Sequence, residues 1–413
     1  MNTPVLTDAL VAACYLLAGR GIMKFTVRFR DPLFAILNLG LVYHFFLADT
    51  NLLFPLAYLL AVICFQAATW HFAKLKGAMP WIAFALPLVF LILVRYVHPE
   101  LLAPLSSSIR AKLAENPEFG WSARFIGLSY LAFRASYLVL EVRNGVVERP
   151  GFWRYLGFCF FLPSFSVGPI TPYSQYRRGF AADLRPELTL GRSLLRILVG
   201  AVKCLFIAPI LNQLTYSEFL LDGHHHPWSD VPIAVFAYYG FLYCNFSGFC
   251  DIAVGAGGFL GLPVAENFDN PFAARNVKDF WNRWHITLCV WMRDVLFSPL
   301  SKALIRKAGP SRANHAIALT ILVVFLVVGV WHGAGWNYAA FGAMHALGVI
   351  ANHYYGIFLK SHLDKTQMRA YNSSRLVRYG ATVLTFCYVA LSLALFANPG
   401  HSLADLWLVV QAP

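Results

Sequence analysis

Long apolar segments alternate with short polar ones along almost the whole chain. Nine of these segments approach the roughly 20 residues that a helix needs to span a bilayer. They are residues 33–48, 52–70, 81–97, 125–140, 194–214, 231–250, 316–331, 338–359 and 377–396. Residues 1–18 lack the basic start of a secretory leader and predict a further, short span. We therefore expect an all-α, polytopic membrane protein with nine to twelve spanning helices.

Composition supports this expectation and affects how the positive net charge is interpreted. The chain is 58% hydrophobic and only 13% charged, whereas soluble domains carry roughly 25% charged residues. The net charge of +13 is typical of nucleic-acid binding, but here the basic residues lie between apolar runs. That pattern favours cytoplasmic loops over a nucleic-acid partner. The eight cysteines form no CxxC pair, so we predict neither a disulfide framework nor a metal site.

The distribution of basic residues predicts the orientation of the chain. Basic clusters occur at 20–30, 74–76, 177–196, 275–283, 302–312 and 360–378, and we place them in the cytoplasm. The N-terminus and the loops 98–121 and 216–230 then lie outside. Segments 151–170 and 284–300 do not fit this alternation, so we predict that neither crosses fully. Such re-entrant or amphipathic pieces require burial by protein or a water-filled cavity, which indicates a partly polar interior.

Two histidines stand in Trp-rich frames within these apolar segments. One frame is Asp279-Phe-Trp-Asn-Arg-Trp-His285, and the other is Val328-Gly-Val-Trp-His332-Gly-Ala-Gly-Trp336. Imidazole exchanges protons near neutral pH, and an ionisable group at membrane depth usually has a function or a paired partner. From the predicted orientation, His285 begins a re-entrant piece and His332 ends an outward span. The pair is therefore a candidate reaction centre approached from opposite faces.

The residues that follow His332 make the functional interpretation stronger than that of a hydrogen-bonded core histidine. Gly333 and Gly335 lack side chains and so allow close approach of a substrate or backbone. Trp331 and Trp336 are candidate walls of a binding site. The chain has no GxSxG nucleophile motif, which favours direct transfer with a histidine base.

Three other motifs have structural alternatives that we prefer. The glycines Gly255, Gly257 and Gly258 resemble a phosphate loop but lack the following Lys-Ser/Thr, so helix packing by small residues is favoured. Asp251 could couple ions, although a structural role is favoured. The tract 224–226 is three histidines without the spaced second ligand pair of a zinc site, and we interpret it as an exposed outer loop.

Between residues 157 and 353 these motifs, taken in order, resemble the membrane-bound O-acyltransferase family. The resemblance is closest to the bacterial branch that contains the D-alanyl-lipoteichoate and alginate-modifying transferases. It is carried by Ser166-Val-Gly168-Pro169, Phe246-Ser-Gly-Phe-Cys-Asp251, Glu266-Asn267-Phe-Asp-Asn270-Pro271, Phe280-Trp-Asn-Arg-Trp-His285, Trp291-Met-Arg293-Asp294 and Trp331-His332-Gly333-Ala-Gly-Trp336-Asn337.

The resemblance implies a single domain, 1–413, in which a ring of helices surrounds funnels on both faces. It identifies His332 as the catalytic histidine and His285 as the supporting one. The implied acyl donor is a cytoplasmic thioester on the phosphopantetheine of a carrier protein or on coenzyme A, with no bound cofactor. The implied acceptor is a hydroxyl of an extracytoplasmic polysaccharide or teichoic-acid-like polymer, or a periplasmic partner protein. The location is the bacterial inner membrane, in contact with membrane lipid.

Chemistry suggests further roles near the two histidines. His285 or Asn282 could orient the base or stabilise an oxyanion, while Arg283 and Arg293 could attract an anionic phosphopantetheine. Two alternatives to an acyltransferase remain open at this stage. One is a proton-coupled transporter or flippase that uses Asp251 and another intramembrane carboxylate, Glu141. The other is a non-catalytic scaffold of a polysaccharide secretion complex.

Overall fold

The described part of the protein is helical. The structure, a computed structural model, describes residues 3–25, 28–47, 53–96, 127–181, 189–220, 226–333 and 335–397. Within these ranges the only β-type pairing is an isolated antiparallel bridge between Phe268 and Trp284. The expected all-α fold is confirmed. Helices suit an apolar environment because they satisfy their backbone hydrogen bonds internally.

Five of the described helices are long and apolar enough to cross a membrane. They are Pro55–Phe72, Leu190–Asn212, Asp230–Leu260, Pro310–His332 and Arg375–Ala397. A shorter apolar helix lies at Met79–Val94. The chain is therefore confirmed as a multi-pass membrane protein, and the number of nine to twelve spans stays a prediction.

The helices divide the chain into two compact units, the first of which comprises residues 1–199 and 249–265. Its helices are α1 (Thr3–Phe25), α2 (Arg30–Val42), α3 (Leu53–Phe72), α4 (Met79–Tyr96), α5 (Leu128–Arg143), α6 (Phe152–Cys159) and α7 (Tyr173–Tyr176). They bury a core rich in aromatic side chains, including Phe34, Tyr58, Phe158 and Phe165. The prediction of a single domain is not decided by this division.

Segment 151–170 does not form a spanning helix, as predicted. Helix α6 has eight residues, which gives a length of roughly 12 Å against a hydrocarbon core of about 30 Å. The fully buried side chain of Arg134 donates to the carbonyl oxygens of Phe158 at 3.2 Å and Cys159 at 3.0 Å. The guanidinium thus lies at the negative end of the short helix, which compensates its charge.

The second unit comprises residues 200–248 and 266–413. Its helices are α9 (Ala208–Asn212), α11 (Val277–Arg283), α12 (Ile286–Met292), α13 (Ser298–Ala308), α14 (Ala313–His332), α15 (Trp336–His362), α16 (Lys365–Ser373) and α17 (Arg375–Ala397). Two helices, α8 (Leu190–Val202) and α10 (Asp230–Leu260), each contribute residues to both units.

Small residues allow α8 and α10 to approach closely. In the second unit, a Cβ added to Gly248 would lie 2.8 Å from the carbonyl oxygen of Gly200. In the first unit, a Cβ added to Gly255 would lie 2.7 Å from the carbonyl oxygen of Ser193. The contact of Gly255 supports the predicted role of the glycine-rich motif in helix packing.

Segment 284–300 is helical despite its charged pair, Arg293 and Asp294. The helix continues from Ile286 to Ala308 through a π-helical turn at Arg293–Phe297. A π turn absorbs one extra residue per turn without ending the helix. The prediction that this segment does not cross the membrane stays a prediction.

Candidate active site

His285 lies at a sharp turn between two short helices of the second unit. Helix α11 ends at Arg283, α12 begins at Ile286, and His285 itself has a left-handed backbone with φ of 47°. A non-glycine residue adopts this conformation only when its surroundings stabilise it. Here the bridge between Phe268 and Trp284 aligns the preceding segment 266–270 alongside the turn.

Asn267 is the residue that holds this turn. Its backbone carbonyl accepts a hydrogen bond from the Ile286 amide at 3.0 Å. Its buried side-chain oxygen accepts from the Thr287 amide at 3.1 Å and from the Thr287 hydroxyl at 2.7 Å. The same oxygen lies 3.4 Å from Nδ1 of His285. Because this oxygen only accepts, Nδ1 must carry the proton, which leaves the Nε2 lone pair free to accept one.

The imidazole of His285 is held in its neutral form. Its side chain is 4% exposed and packs against the ring of Phe246 with centroids 4.8 Å apart. Burial lowers the pKa of His285 to about 3, and electrostatic repulsion from His332 acts in the same direction. The structure therefore brings the two predicted histidines into electrostatic range of one another.

His332 occupies the last turn of α14, as the apolar pattern predicted. Three aromatic rings surround it, with centroid distances of 4.5 Å to Trp331, 4.9 Å to Phe396 and 6.2 Å to Phe341. The histidine itself is half-buried, in contrast to His285. A side chain at this helix end is both walled by aromatic surface and within reach of a second molecule.

Gly333 is required at the position after His332. A Cβ added to Gly333 would overlap the ring of Tyr338, which itself packs edge-on against Phe396 with centroids 5.3 Å apart. The glycine thus leaves room for Tyr338 beside the aromatic wall of His332, which we define as the rings of Trp331, Phe341 and Phe396. The group that approaches Gly333 is thus a tyrosine side chain, and the predicted approach of a substrate or backbone stays a prediction.

His345 belongs to the same cluster and was missed by the sequence analysis, which singled out only His285, His332 and the tract 224–226. It is fully buried, and it bonds the indole nitrogen of Trp281 at 3.1 Å and the Ser392 hydroxyl at 2.8 Å. It also interacts electrostatically with His332. The available signal was its helical spacing, because His345 lies four residues after Phe341 and so shares its face of α15.

The predicted substrate-binding residues have varied surroundings. Arg283 donates to the Asp279 carboxylate at 2.9 Å and lies 3.8 Å from the Asp269 carboxylate. Arg293 is exposed and pairs with Asp294 at 2.9 Å. Both arginines thus have carboxylate neighbours of their own. The roles of these residues in substrate binding stay predictions.

The other predicted substrate-binding residues are Asn282, Trp331 and Trp336. Asn282 is exposed on α11, and Trp336 is 60% exposed at the start of α15. Trp331 contacts His332 through its ring, with centroids 4.5 Å apart. The predicted roles of Asn282 and Trp336 in substrate binding stay predictions.

The two carboxylates considered for proton transport have structural partners. Asp251 is buried and pairs with Arg196 at 2.6 Å. Glu141 accepts hydrogen bonds from the backbone amides of Tyr173 at 2.9 Å and Ser174 at 3.1 Å, at the start of α7. These contacts favour the structural role that the sequence suggested for Asp251.

The histidine tract is only partly visible. His226 is buried at the start of α10, where its Nδ1 lies 3.0 Å from Asp230, so the expected exposure is wrong for this residue. His224 and His225 lie outside the described residues. Among the residues that the structure does describe, no group of three or more His, Cys, Asp or Glu side chains is arranged to hold a metal ion.

Fold and site together define a multi-pass helical membrane protein with a partly buried cluster of three histidines. The sequence model of the membrane-bound O-acyltransferase family, MBOAT, matches residues 36–394. The chain therefore belongs to that family and is a membrane O-acyltransferase of the bacterial inner membrane.

Relatives with assigned names act on several cell-envelope polymers. The chain is 29% identical over 296 residues to the teichoic acid D-alanyltransferase of Streptococcus thermophilus, covering 68% of this chain and 70% of the relative. It is 28% identical to the probable alginate O-acetylase AlgI of Pseudomonas aeruginosa, over 54% of this chain and 41% of the relative. It is 31% identical to the peptidoglycan O-acetyltransferase of Helicobacter pylori, over 49% of this chain and 38% of the relative.

Proposed function

We propose that this O-acyltransferase moves an acetyl or D-alanyl group from a cytoplasmic thioester to a hydroxyl of an extracytoplasmic envelope polymer or of a relay partner. The donor thioester is carried on coenzyme A or on the phosphopantetheine of a carrier protein, and His332 is the general base. The observation that supports this proposal best is the site of His332, which is half-buried at the end of a span between aromatic rings and within electrostatic range of neutral His285.

The reaction balances without a cofactor or a metal ion. His332 takes the proton of the acceptor hydroxyl while the oxygen attacks the thioester carbonyl. The carbon–sulfur bond then breaks, and the protonated His332 gives the proton to the leaving thiolate. The products are an ester and a free thiol. General acid–base catalysis of this type contributes typically about 10²–10⁴-fold, and alignment of both substrates in a water-poor site contributes further.

The relatives support an envelope polymer as acceptor without selecting one. Their names specify teichoic acid, alginate and peptidoglycan, which share accessible hydroxyl groups outside the cytoplasmic membrane. The D-alanyltransferase covers the largest share of the chain among these three, which favours D-alanyl over acetyl as the transferred group. The structural partners of Asp251 and Glu141 count against the transporter alternative, since a carboxylate that caps a helix or pairs with arginine is poorly placed to exchange protons.

The test uses a strain that lacks the chromosomal gene and carries either wild type, His332→Ala or His362→Ala. His362 is an exposed histidine at the end of α15 and serves as the matched control. Mild alkali releases ester-linked acetate and D-alanine from purified envelopes, and both are quantified by mass spectrometry. We expect the acyl group to be lost with His332→Ala and retained with His362→Ala. Undiminished acylation by a normally inserted His332→Ala protein would contradict the proposal and favour the scaffold alternative.

The donor is identified in a second assay. Purified protein in proteoliposomes receives acetyl-coenzyme A or a D-alanyl carrier protein, and release of free thiol is followed over time. Release that depends on both the added acceptor polymer and His332 identifies the donor. Equal release by wild type and His332→Ala would contradict the role of His332 as base.

A further inference from the structure

The hydrogen bonds of His345 determine its protonation state. The indole nitrogen of Trp281 only donates, so Nδ1 of His345 must accept and carries no proton. The Ser392 hydroxyl has one hydrogen, which it donates to the carbonyl oxygen of Val389 at 2.7 Å. Nε2 of His345 must therefore donate to Ser392 at 2.8 Å. Both nitrogens are occupied, and the imidazole is fixed as the neutral Nε2–H tautomer.

This network connects three helices around the wall of His332. Trp281 is on α11, His345 on α15 and Ser392 on α17. Phe341 stands between the two histidines, with centroids 4.5 Å from His345 and 6.2 Å from His332. Phe396, one turn after Ser392 on α17, contacts His332 directly with centroids 4.9 Å apart. The bonds of His345 thus fix the two helices that present the aromatic wall.

Close backbone contact makes this arrangement rigid. A Cβ added to Gly329 of α14 would overlap the carbonyl oxygen of Tyr338, and one added to Gly342 of α15 would overlap that of Phe325. Helices α14 and α15 therefore approach as closely as their backbones permit. A shift of His345 is transmitted to His332 because no flexible side chain lies between the two backbones to absorb it.

A neutral His345 also suits the charge change expected at His332. The general base becomes an imidazolium during transfer, and a second cation in the same cluster would oppose that charge. Trp281 occupies the only nitrogen of His345 that could bind a proton, so the proton remains on His332. His285 is likewise neutral. Of the three histidines, His332 is therefore the one placed to carry the positive charge, because His345 is blocked by Trp281 and His285 is buried.

We propose that His345, held by Trp281 and Ser392, is a positioning residue that fixes the wall and the proton affinity of the base His332. The inference rests on the proposed function of His332 as general base. His345 acts through Phe341 and through its own neutral state, and we assign it no contact with the substrates.

The test compares purified variants in the thiol-release assay with acetyl-coenzyme A and a D-alanyl carrier protein as donors. His345→Leu removes both hydrogen bonds, whereas His345→Gln retains one acceptor and one donor and stays neutral. Trp281→Phe frees Nδ1 to bind a proton. Thr385→Val is the matched control, because it removes a buried hydroxyl of α17 that bonds only its own helix at Ala381.

We expect His345→Leu to lower kcat about 10- to 100-fold with little change in the KM of the donor, as loss of alignment does. His345→Gln should restore most of kcat. Trp281→Phe should move the acidic limb of the kcat–pH profile to lower pH by about one unit. His345 then becomes able to carry a positive charge, which lowers the pKa of His332. Thr385→Val should change neither quantity. A merely structural role would lower the yield of folded protein and would not move the pH profile of the folded fraction.

Three outcomes would overturn the inference. One is His345→Leu with wild-type kcat and pH profile, and another is folded His345→Gln as inactive as His345→Leu, which would require a titrating histidine. The third is Trp281→Phe with an unmoved acidic limb. If His332→Ala also retains activity in the same series, the proposed function fails together with this inference. If His332→Ala is inactive while His345→Leu is normal, only this inference fails.

Discussion

His285 and His332 are histidines of the same cluster in environments that differ in almost every respect. His285 is 4% exposed, has a left-handed backbone and is held by Asn267 at both backbone and side chain. His332 is half-buried, ends a regular helix and is surrounded by aromatic rings. The surroundings of His285 hold it in one position, whereas those of His332 leave part of its side chain accessible to a second molecule.

This difference separates two roles that the sequence pattern alone presents as equivalent. A general base must meet the proton that it removes, so some access is required. A supporting residue needs only a fixed position and a stable charge state, which burial and the bonds of Asn267 provide. The comparison therefore favours His332 as the base and His285 as its support, and the predictions below test that assignment.

The largest expected effect comes from exchanging each histidine for glutamine. His332→Gln removes the proton acceptor and should lower kcat by about 10²–10⁴-fold. His285→Gln retains a neutral polar group of similar reach and should cost about tenfold or less. The thiol-release assay measures both rates. If the two losses were equal, or their order reversed, the roles would have to be exchanged.

Gly333→Ala tests the wall of His332 without touching the histidine. The added methyl group would overlap the ring of Tyr338, so the turn between α14 and α15 must shift. We expect kcat to fall about 10- to 100-fold, as for a displacement of about 1 Å in a catalytic group. Gly356→Ala is the control, because a Cβ there meets nothing within 4 Å. Equal activity of the two variants would show that the wall tolerates movement.

Much of the fold could be predicted from the pattern of apolar segments. Spans such as Pro310–His332 appear where long uncharged runs stand in the sequence, because backbone hydrogen bonding in lipid leaves few alternatives to a helix. The absence of a spanning helix in segment 151–170 was also expected, because that segment does not fit the alternation of basic clusters. The continuation of the helix through Arg293 was not expected, because a π turn leaves no compositional signature.

The candidate site could be predicted only in part. His332 was visible because glycines and tryptophans mark its position next to it in the sequence. His345 was not, because its partners Trp281 and Ser392 are 64 and 47 residues away. Tertiary hydrogen bonds between distant helices have no local pattern. The role of Asn267 in holding His285 was hidden for the same reason.

Asn267→Ala should loosen the turn that holds His285. The buried Thr287 amide loses its acceptor, and an unsatisfied buried donor costs about 1–3 kcal/mol. We expect a lower thermal unfolding midpoint in detergent and a moderate fall in kcat. Asn267→Asp retains an acceptor oxygen at this position and should recover part of the lost stability. If Asn267→Ala were as stable as wild type, the position of His285 would not depend on the hydrogen bonds of Asn267.

Acid sensitivity provides a smaller test of the burial of His285. Its pKa is lowered from 6.5 to about 3 in the folded protein, so between these pH values the unfolded chain binds a proton that the folded chain does not. Stability should therefore fall as pH falls from 6.5 towards 3, by at most about 1.4 kcal/mol per pH unit, with no contribution above 6.5. His285→Asn should show a shallower decline of the unfolding midpoint. An unchanged slope would indicate that His285 is accessible to protons in the folded state.

The smallest effect is expected at Arg293, outside the histidine cluster. Arg293 is 60% exposed and pairs with Asp294, and exposed ion pairs are worth roughly 0–1 kcal/mol. If Arg293 attracts the anionic donor, Arg293→Gln should raise the donor KM by no more than about fivefold and leave kcat unchanged, and added salt should remove the difference. Arg283→Gln should in addition lower stability, because Arg283 ties α11 to Asp269. A fall in kcat with Arg293→Gln would extend the reaction centre beyond the histidines, and the contrast between His285 and His332 would no longer describe the whole site.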